Sequence, residues 1–291
     1  VSGPSAVDAI VVTLVAAEDG VPDGARRRAL DVLGPEAVVE RSASPRSLKL
    51  RAPGAAVPAL TALRLALAGD AVDVAVEAAD APAKRLFIAD MDSTMIGQEC
   101  IDELADHAGL RREVAEITER AMRGELAFEP ALEARVALLA GLPLTVVDAV
   151  LAERITPNPG AAALLAGLRA RGAFTALVSG GFTLFTGPIA ARIGFHAHRA
   201  NVLRHRDGVL DGSVETPILG RAAKRAALME FLAERSLAPG ASLAIGDGAN
   251  DVDMVEAAGL GVAYRAKPAL KAVAGVWLDH APLDALLDVA A

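Results

Sequence analysis

Two aspartates one residue apart, Asp90 and Asp92, stand directly after a short apolar run, Leu86-Phe87-Ile88-Ala89. A carboxylate is a competent nucleophile toward phosphorus, and a second acid two positions on can protonate a leaving oxygen and later take a proton from water. The pair by itself is weak evidence, because a solvated turn or an Asx cap after a strand looks the same. Its setting is more informative. An unbroken apolar run marks a strand buried on both faces of a parallel sheet, and such sheets bind ligands outside the carboxyl ends of their strands.

Two further strand ends carry related groups. Phe174 to Val178 runs into Ser179-Gly180-Gly181, where a hydroxyl and unobstructed backbone N–H groups suit phosphate oxygens, although a plain turn reads alike. Ser242 to Ile245 runs into Gly246-Asp247-Gly248-Ala249-Asn250-Asp251. Lys224 lies on a helix expected over Leu219 to Ala233, and a lone helical lysine is usually a solvated charge. If these ends converge, Asp90, Asp92, Asp247 and Asp251 together would repel a phosphate dianion, so a bound cation is required. Oxygen ligands call for a hard ion, Mg²⁺, held by Asp90, Asp247 and the backbone carbonyl of Asp92.

Asp90-Met91-Asp92-Ser93-Thr94, Ser179, Lys224 and Gly246 to Asp251 resemble the motif series of the haloacid dehalogenase-like phosphatases, over roughly Arg85 to Leu287. Within that family they resemble the phosphoserine phosphatase branch. The resemblance implies that Asp90 is phosphorylated, that Asp92 is general acid and base, and that Ser179, Gly180 and Lys224 hold the phosphoryl group. It implies a Mg²⁺ site at Asp90, Asp92 and Asp247, with Asn250 supporting the substrate and Asp251 lying behind. Glu99 and Arg135 match positions that hold the ammonium and carboxylate of O-phosphoserine, yet a helix-capping glutamate and a solvated helical arginine would read the same. Met122 and Phe128 are candidates to pack over the site, with core residues the simpler account. The implied reaction hydrolyses O-phospho-L-serine to L-serine and phosphate through an aspartyl-phosphate, the last step of serine biosynthesis. Phosphoryl transfer to an amino-acid alcohol such as homoserine stays open, as does an amino-acid sensor whose catalytic unit is incidental. Intact Asp90, Asp92, Lys224 and Asp247 weigh against the sensor.

Positioning these groups takes more than one structural unit, since the 291 residues exceed a typical domain of about 100 to 200. With 53% hydrophobic but 3% aromatic residues, the interior must be Ala, Val and Leu, which suits helices packed on a parallel sheet. The expected fold class is α/β, with a Rossmann-like parallel sheet over residues 84–291 and a helical cap at about 97–155. Within the cap, Ile101, Leu104, Ala105 and Ala108 form one helical stripe and Leu132, Val136, Leu139 and Ala140 another, punctuated by Gly109, Gly124, Gly141 and Pro143. Residues 1–80 read β-α-β-β-α-β, with strands at Ala9 to Ala17, Ala37 to Arg41, Ser47 to Arg51 and Val72 to Glu77, and helices at Asp23 to Leu33 and Val57 to Leu67. That is a ferredoxin-like α+β unit, followed by a linker at Ala79 to Lys84. In front of this catalytic unit it resembles an amino-acid-binding (ACT-like) regulatory domain, and it could equally stabilise the chain or pair two copies as a homodimer.

A net charge of −8 and a pI near 5.2 argue against nucleic acid and against an anionic membrane surface as partners. Cys100 is the single cysteine, so no intrachain disulfide is expected and a reducing, cytoplasmic setting follows. No apolar run reaches the roughly 18 residues of a membrane span, and no basic segment leads into an apolar core as in a signal peptide. Whether Val1 to Pro4 is native or a cloning remnant stays open.

Overall fold

Two large sheets with different hydrophobic patterns, with a separate two-stranded one, organise the computed structural model, which describes residues 9–18, 20–40, 42, 44–122 and 125–289. Val1 to Pro4, Arg41 and Gly124, used in the sequence reading, lie outside the described residues. The first sheet contains β1 (Ala9–Ala16), β2 (Val38–Glu40), β3 (Ser47–Pro53) and β4 (Val72–Ala78), with α1 (Asp23–Leu33) and α2 (Ala56–Ala66) between them. Its order is β2-β3-β1-β4 with every pairing antiparallel, the ferredoxin-like arrangement. Alternation decides the faces: Ile10, Val12 and Leu14 of β1 pack with Ala25 and Ala29 of α1 and Leu63 of α2, so Val11 and Thr13 point the other way.

The second sheet follows the rule for strands buried on both sides. It contains β5 (Leu86–Ala89), β6 (Phe174–Phe182), β7 (Ala197–Asn201), β10 (Ser242–Gly246), β11 (Leu260–Tyr264) and β12 (Val276–Leu278), in the order β12-β11-β10-β5-β6-β7, all parallel. Leu86 and Ile88 join a core with Leu228 and Phe231 of α9 (Arg221–Glu234) and Val255 of α10 (Val252–Ala257). Phe87 and Ala89 join the opposite core with Leu164 and Leu168 of α7 (Ala161–Ala170) and Phe185 of α8 (Thr183–Ile193). From β5 the chain builds β6 and β7 on one side, then returns to β10 on the other. The end of β5 therefore stands at the topological switch point, where open α/β sheets leave a crevice. Strand β6, the second of this sheet in sequence, runs on past Val178 to Phe182, so Ser179-Gly180-Gly181 belongs to β6 rather than to a turn after it.

Between β5 and α7 the chain folds into α3 (Cys100–His107), α4 (Arg111–Met122), α5 (Phe128–Ala137) and α6 (Leu144–Glu153). Two connecting segments join this insertion to the sheet and are tied to each other. Ile96 bridges Pro157, the Gly97 N–H donates to the Thr156 carbonyl at 3.1 Å, and Gln98 and Thr156 exchange two further bonds at 2.9 and 3.0 Å. A third attachment comes from the hairpin of β8 (Leu203–Arg206) and β9 (Val209–Val214). Its turn residues Asp207 and Gly208 have φ of 51° and 79°, as an Asp-Gly hairpin predicts, and the Leu144 N–H donates to the Gly208 carbonyl at 2.8 Å.

The N-terminal unit is fastened to the C-terminal end of the large sheet, which finishes with α11 (Pro268–Lys271) and α12 (Leu286–Val289). Asp73, 5% exposed, accepts the N–H groups of Asp279 at 2.9 Å and Ala281 at 2.8 Å, with that of His280 between them. Among the described residues no helix is long and apolar enough to cross a membrane.

Candidate active site

Asp90 leaves the end of β5 at 4% exposure, and its Oδ1 accepts the Met91 N–H at 2.8 Å and the Lys224 ammonium at 2.7 Å. Lys224 reaches in from α9 at 1% exposure and also donates to Asp251 Oδ1 at 2.6 Å. Burial opposes its charge, but attraction to Asp90 and Asp251 outweighs that and holds its pKa above the ordinary lysine value. The helical lysine of the sequence reading is thus an internal ion-pair bridge between two strand ends. Asp251 Oδ2 in turn accepts the N–H groups of Asp247 at 3.2 Å and Gly248 at 3.1 Å. A Cβ on Gly246 would fall 2.3 Å from Asp251 Cγ, so only glycine lets this carboxylate lie against the end of β10.

Asp92 faces the other way. Its Oδ1 accepts the N–H of Cys100 at 2.8 Å, on the first residue of α3, and its Oδ2 lies 3.3 Å from the Ser179 hydroxyl. Ser179, 1% exposed, also accepts the Gly181 N–H at 2.8 Å, and a Cβ on Gly181 would approach Asp92 Oδ2 to 2.9 Å. Thr94 donates to Asp247 Oδ1 at 3.3 Å, linking the ends of β5 and β10. Between them Ser93 has φ 53°, a left-handed conformation that non-glycine residues seldom adopt and that recurs in functional loops.

The carboxylates carry the cost of this packing. Burial, and then the Asp251 charge, push the Asp90 pKa well up despite Lys224. Burial raises Asp92 against the bond from Cys100, and burial with Asp251 raises Asp247 to about 6. Four acids face one buried ammonium. Carboxylate oxygens of Asp90, Asp247 and Asp251 all lie within 4.8 Å of one another, a hard oxygen donor set that suits a divalent cation. Asp251, expected behind the site, is one of these three, whereas the side chain of Asp92 is engaged by Cys100 and Ser179. Asn250 is half-buried beside Gly248, with Oδ1 where a Cβ on that glycine would come within 2.4 Å.

Glu99 and Arg135 come from the insertion. Glu99 sits at the N-cap position of α3, but its side chain makes no capping bond there; it accepts the Ser93 hydroxyl at 2.6 Å and keeps contact with solvent. Surrounding protein and the Asp92 charge raise its pKa to about 7. Arg135 donates Nε to the Ala131 carbonyl at 3.1 Å and forms no ion pair with Glu99, although the charges of Asp102 and Glu99 both reach it. Phe128, a candidate to pack over the site with core the simpler account, is 40% exposed. Its ring stands 3.5 Å from a Cβ placed on Gly180 and 3.3 Å from one on Gly220, so it packs where the insertion meets the sheet. The Met122 side chain lies outside the described residues.

Sequence reasoning assigns no role to Asn201 and Asn158 and takes in Thr94 only as part of the first motif, yet all three hold the site. Asn201, 3% exposed, donates to the Gly180 carbonyl at 2.8 Å and accepts the Leu219 N–H at 2.6 Å, fixing the strand end beside Ser179 to the loop before α9. Asn158 donates to the carbonyls of Thr94 at 2.8 Å and Ile96 at 3.0 Å. Thr94 is the third. Their only sequence signal is a polar residue inside or beside an apolar element.

The chain belongs to the haloacid dehalogenase-like hydrolases, whose family model matches residues 87–256. Phosphoserine phosphatase SerB2 of Mycobacterium tuberculosis is 45% identical over 237 residues, 81% of this chain and 58% of that protein, so the chain spans little more than half the length of this relative. The crystal structure of a HAD family hydrolase from Salmonella enterica serovar Typhi superposes with a TM-score of 0.89 at 29% identity, covering 97% of this chain and 98% of the other. A phospho-aspartyl intermediate analogue of phosphoserine phosphatase gives a TM-score of 0.66 at 39% identity, covering 72% of this chain and 99% of the other.

Proposed function

We propose that the chain hydrolyses O-phospho-L-serine to L-serine and phosphate through a phosphorylated Asp90. The observation that carries this reading is Asp90, held by Lys224 at 2.7 Å, two residues from Asp92 at the end of β5, with the charge of Asp92 felt by Glu99 and that of Glu99 felt by Arg135. A carboxylate oxygen of Asp90 attacks phosphorus and the ester P–O bond breaks. Asp92, whose pKa burial raises, protonates the departing serine oxygen. The same carboxylate then takes a proton from water, which attacks the aspartyl-phosphate and returns Asp90. Lys224, Ser179 and the N–H of Gly180 balance the phosphoryl charge. Arg135 holds the substrate carboxylate, and Glu99, with Ser93 fixing its orientation, holds the ammonium.

Asp90, Asp247 and the backbone carbonyl of Asp92 would hold Mg²⁺, with Asp251 adjacent, and the ion would supply charge neutralisation for the transferring oxygens. The 45% identical relative and the 39% identical structure, both phosphoserine phosphatases by name, support the substrate. A homodimer through the N-terminal sheet draws support from its β2 edge, where Val38 is 56% and Val39 47% exposed.

The test is a screen of phosphorylated metabolites with Mg²⁺, chelator, and homoserine as an added acceptor. O-phosphoserine should lead the screen, chelator should silence it, and serine and phosphate should form in equal amounts. Phosphohomoserine as the main product would make the chain a phosphotransferase, and full activity in chelator would refute the cation site.

A further inference from the structure

Strand β1 reads Ala9-Ile10-Val11-Val12-Thr13-Leu14-Val15-Ala16, and Thr13 is its one polar residue. Thr13 is 3% exposed, on the sheet face turned away from α1 and α2, and its hydroxyl makes no hydrogen bond to the described residues and opens onto a cavity. The hydroxyl faces the open space of a cavity, where a ligand can replace water as its hydrogen-bond partner.

The register shows what surrounds it. Lys49 lies opposite Thr13 on β3, Arg51 lies opposite Val11, and Glu77 of β4 flanks Val11 from the other side. Glu40 of β2 lies opposite Lys49. These side chains line a cavity of about 190 Å³, walled by Ala81, Pro82 and other small residues of the linker. Two of its charges are matched within the chain: Glu40 accepts Arg51 Nε at 2.5 Å, and Glu77 pairs with Lys84 at 2.7 Å. Three cations against two carboxylates leave one positive charge. It rests on Lys49, which has no ion pair among the described residues, and the terminal nitrogens of Arg51 beside it are not used by Glu40.

We propose that this cavity binds a short-chain organic carboxylate. The carboxylate would take the Lys49 ammonium, the free edge of Arg51 and the Thr13 hydroxyl, and the hydrocarbon end would lie on the alanines and Pro82 of the linker. A site of one net positive charge and this volume selects a small monoanion over a nucleotide or a polyanion. Anything that binds the folded chain alone also stabilises it by mass action.

Sodium butyrate is the probe, titrated into the full chain by calorimetry and thermal denaturation against sodium chloride and sodium phosphate at matched ionic strength. Butyrate should bind saturably and raise the melting temperature where chloride and phosphate do not. Lys49→Met should weaken binding by roughly tenfold or more and Thr13→Val by about threefold, as expected for a charge-assisted and a neutral hydrogen bond. Both variants should hydrolyse p-nitrophenyl phosphate like the wild type, which also shows that they fold; if Thr13→Val does not, Arg51→Met takes its place. Arg135→Ala should bind butyrate normally, which separates this cavity from the cleft. An equal response to chloride or phosphate, undiminished binding in Lys49→Met, or no saturable binding at all would each overturn the proposal, the last leaving the cavity to water.

Discussion

At the floor of the cleft Asp90 and Asp251 are held by Lys224 of α9, Asp92 by the first N–H of α3 and Ser179 by the Gly181 N–H of β6, while at its roof Arg135 spends one nitrogen on the Ala131 carbonyl and Glu99 accepts one hydroxyl. The floor's partners are internal, so its geometry exists before any ligand arrives, as electrostatic preorganisation requires. The roof's charges lie in an insertion joined through Gly97, Gln98, Thr156 and Pro157, and they are left to be paired by whatever enters. On the proposed reading, reaction type belongs to the groups gathered at the strand ends and choice of substrate to Glu99 and Arg135 of the insertion. The close packing has a physical cost on both sides: burial and neighbouring carboxylates raise the pKa of Asp90 and Asp247 on the floor and of Glu99 at the roof.

The largest effect should come from the floor. Asp90→Asn keeps the shape of the side chain but removes the nucleophile, so turnover of every phosphate ester should fall at least about 10⁴-fold while circular dichroism is unchanged. Residual activity near that of the wild type would end the mechanism. Lys224→Met comes next. It leaves Asp90 and Asp251 buried without their shared ammonium, which typically costs about 3 to 5 kcal/mol when one member of a buried pair is lost. Phosphoserine and p-nitrophenyl phosphate should suffer alike, by roughly 10² to 10³ in kcat/KM. A loss confined to phosphoserine would move Lys224 from the floor's function to the roof's.

The same division governs what the sequence allows one to read. Asp90, Asp92, Ser179 and Asp247 are legible because apolar runs of four or five residues end at them, and burial on both faces leaves strand ends as the only place for polar groups. Lys224 is not legible by that logic: a lysine among Arg221, Arg225 and Glu230 on one helix looks solvated, and only the motif resemblance picks it out. Asn201, Asn158 and Thr94 escape because their partners are backbone carbonyls, a backbone N–H and a carboxylate 18 to 153 positions away. In the N-terminal unit, strict alternation locates strands and helices to within a few residues, yet nothing in it reveals that Asp73 would clasp three N–H groups of Asp279, His280 and Ala281. Local pattern locates elements, and long-range hydrogen bonds to the backbone leave no local pattern.

Arg135→Ala sharpens the roof's side of the comparison. Loss of a charge-assisted contact to the substrate carboxylate is worth about 1.5 to 3 kcal/mol, so kcat/KM for phosphoserine should drop roughly 10- to 150-fold. Phosphoethanolamine and p-nitrophenyl phosphate, which lack the carboxylate, should be hydrolysed almost as before. Equal losses on all three would mean that Arg135 supports the insertion's packing through Ala131 rather than reading the substrate.

The smallest effect separates floor from roof by pH rather than by rate. Asp247 at about 6 and Glu99 at about 7 lie above their ordinary carboxyl values because burial disfavours their charged forms. A carboxyl whose folded pKa is raised binds protons more tightly in the folded chain than in the unfolded one. Its favourable contribution is complete below the unfolded value near pH 4, and it is lost as pH rises through about 6 for Asp247 and about 7 for Glu99. Chelator-treated protein should therefore melt a few degrees lower at pH 7.5 than at pH 5, on the scale of about 2 to 4 °C per kcal/mol for a domain of this size. Mg²⁺ should restore the floor's share, because a cation beside Asp90 and Asp247 favours their charged forms, and its stabilising effect should grow from pH 5 to 7.5. It should leave the share of Glu99, which Glu99→Gln removes instead. Calorimetry on both proteins with and without Mg²⁺ measures the two shares independently. If Glu99→Gln abolished the Mg²⁺ response while Asp247→Asn preserved it, the cation would sit nearer the roof, and the division of the cleft drawn from the hydrogen bonds would fail.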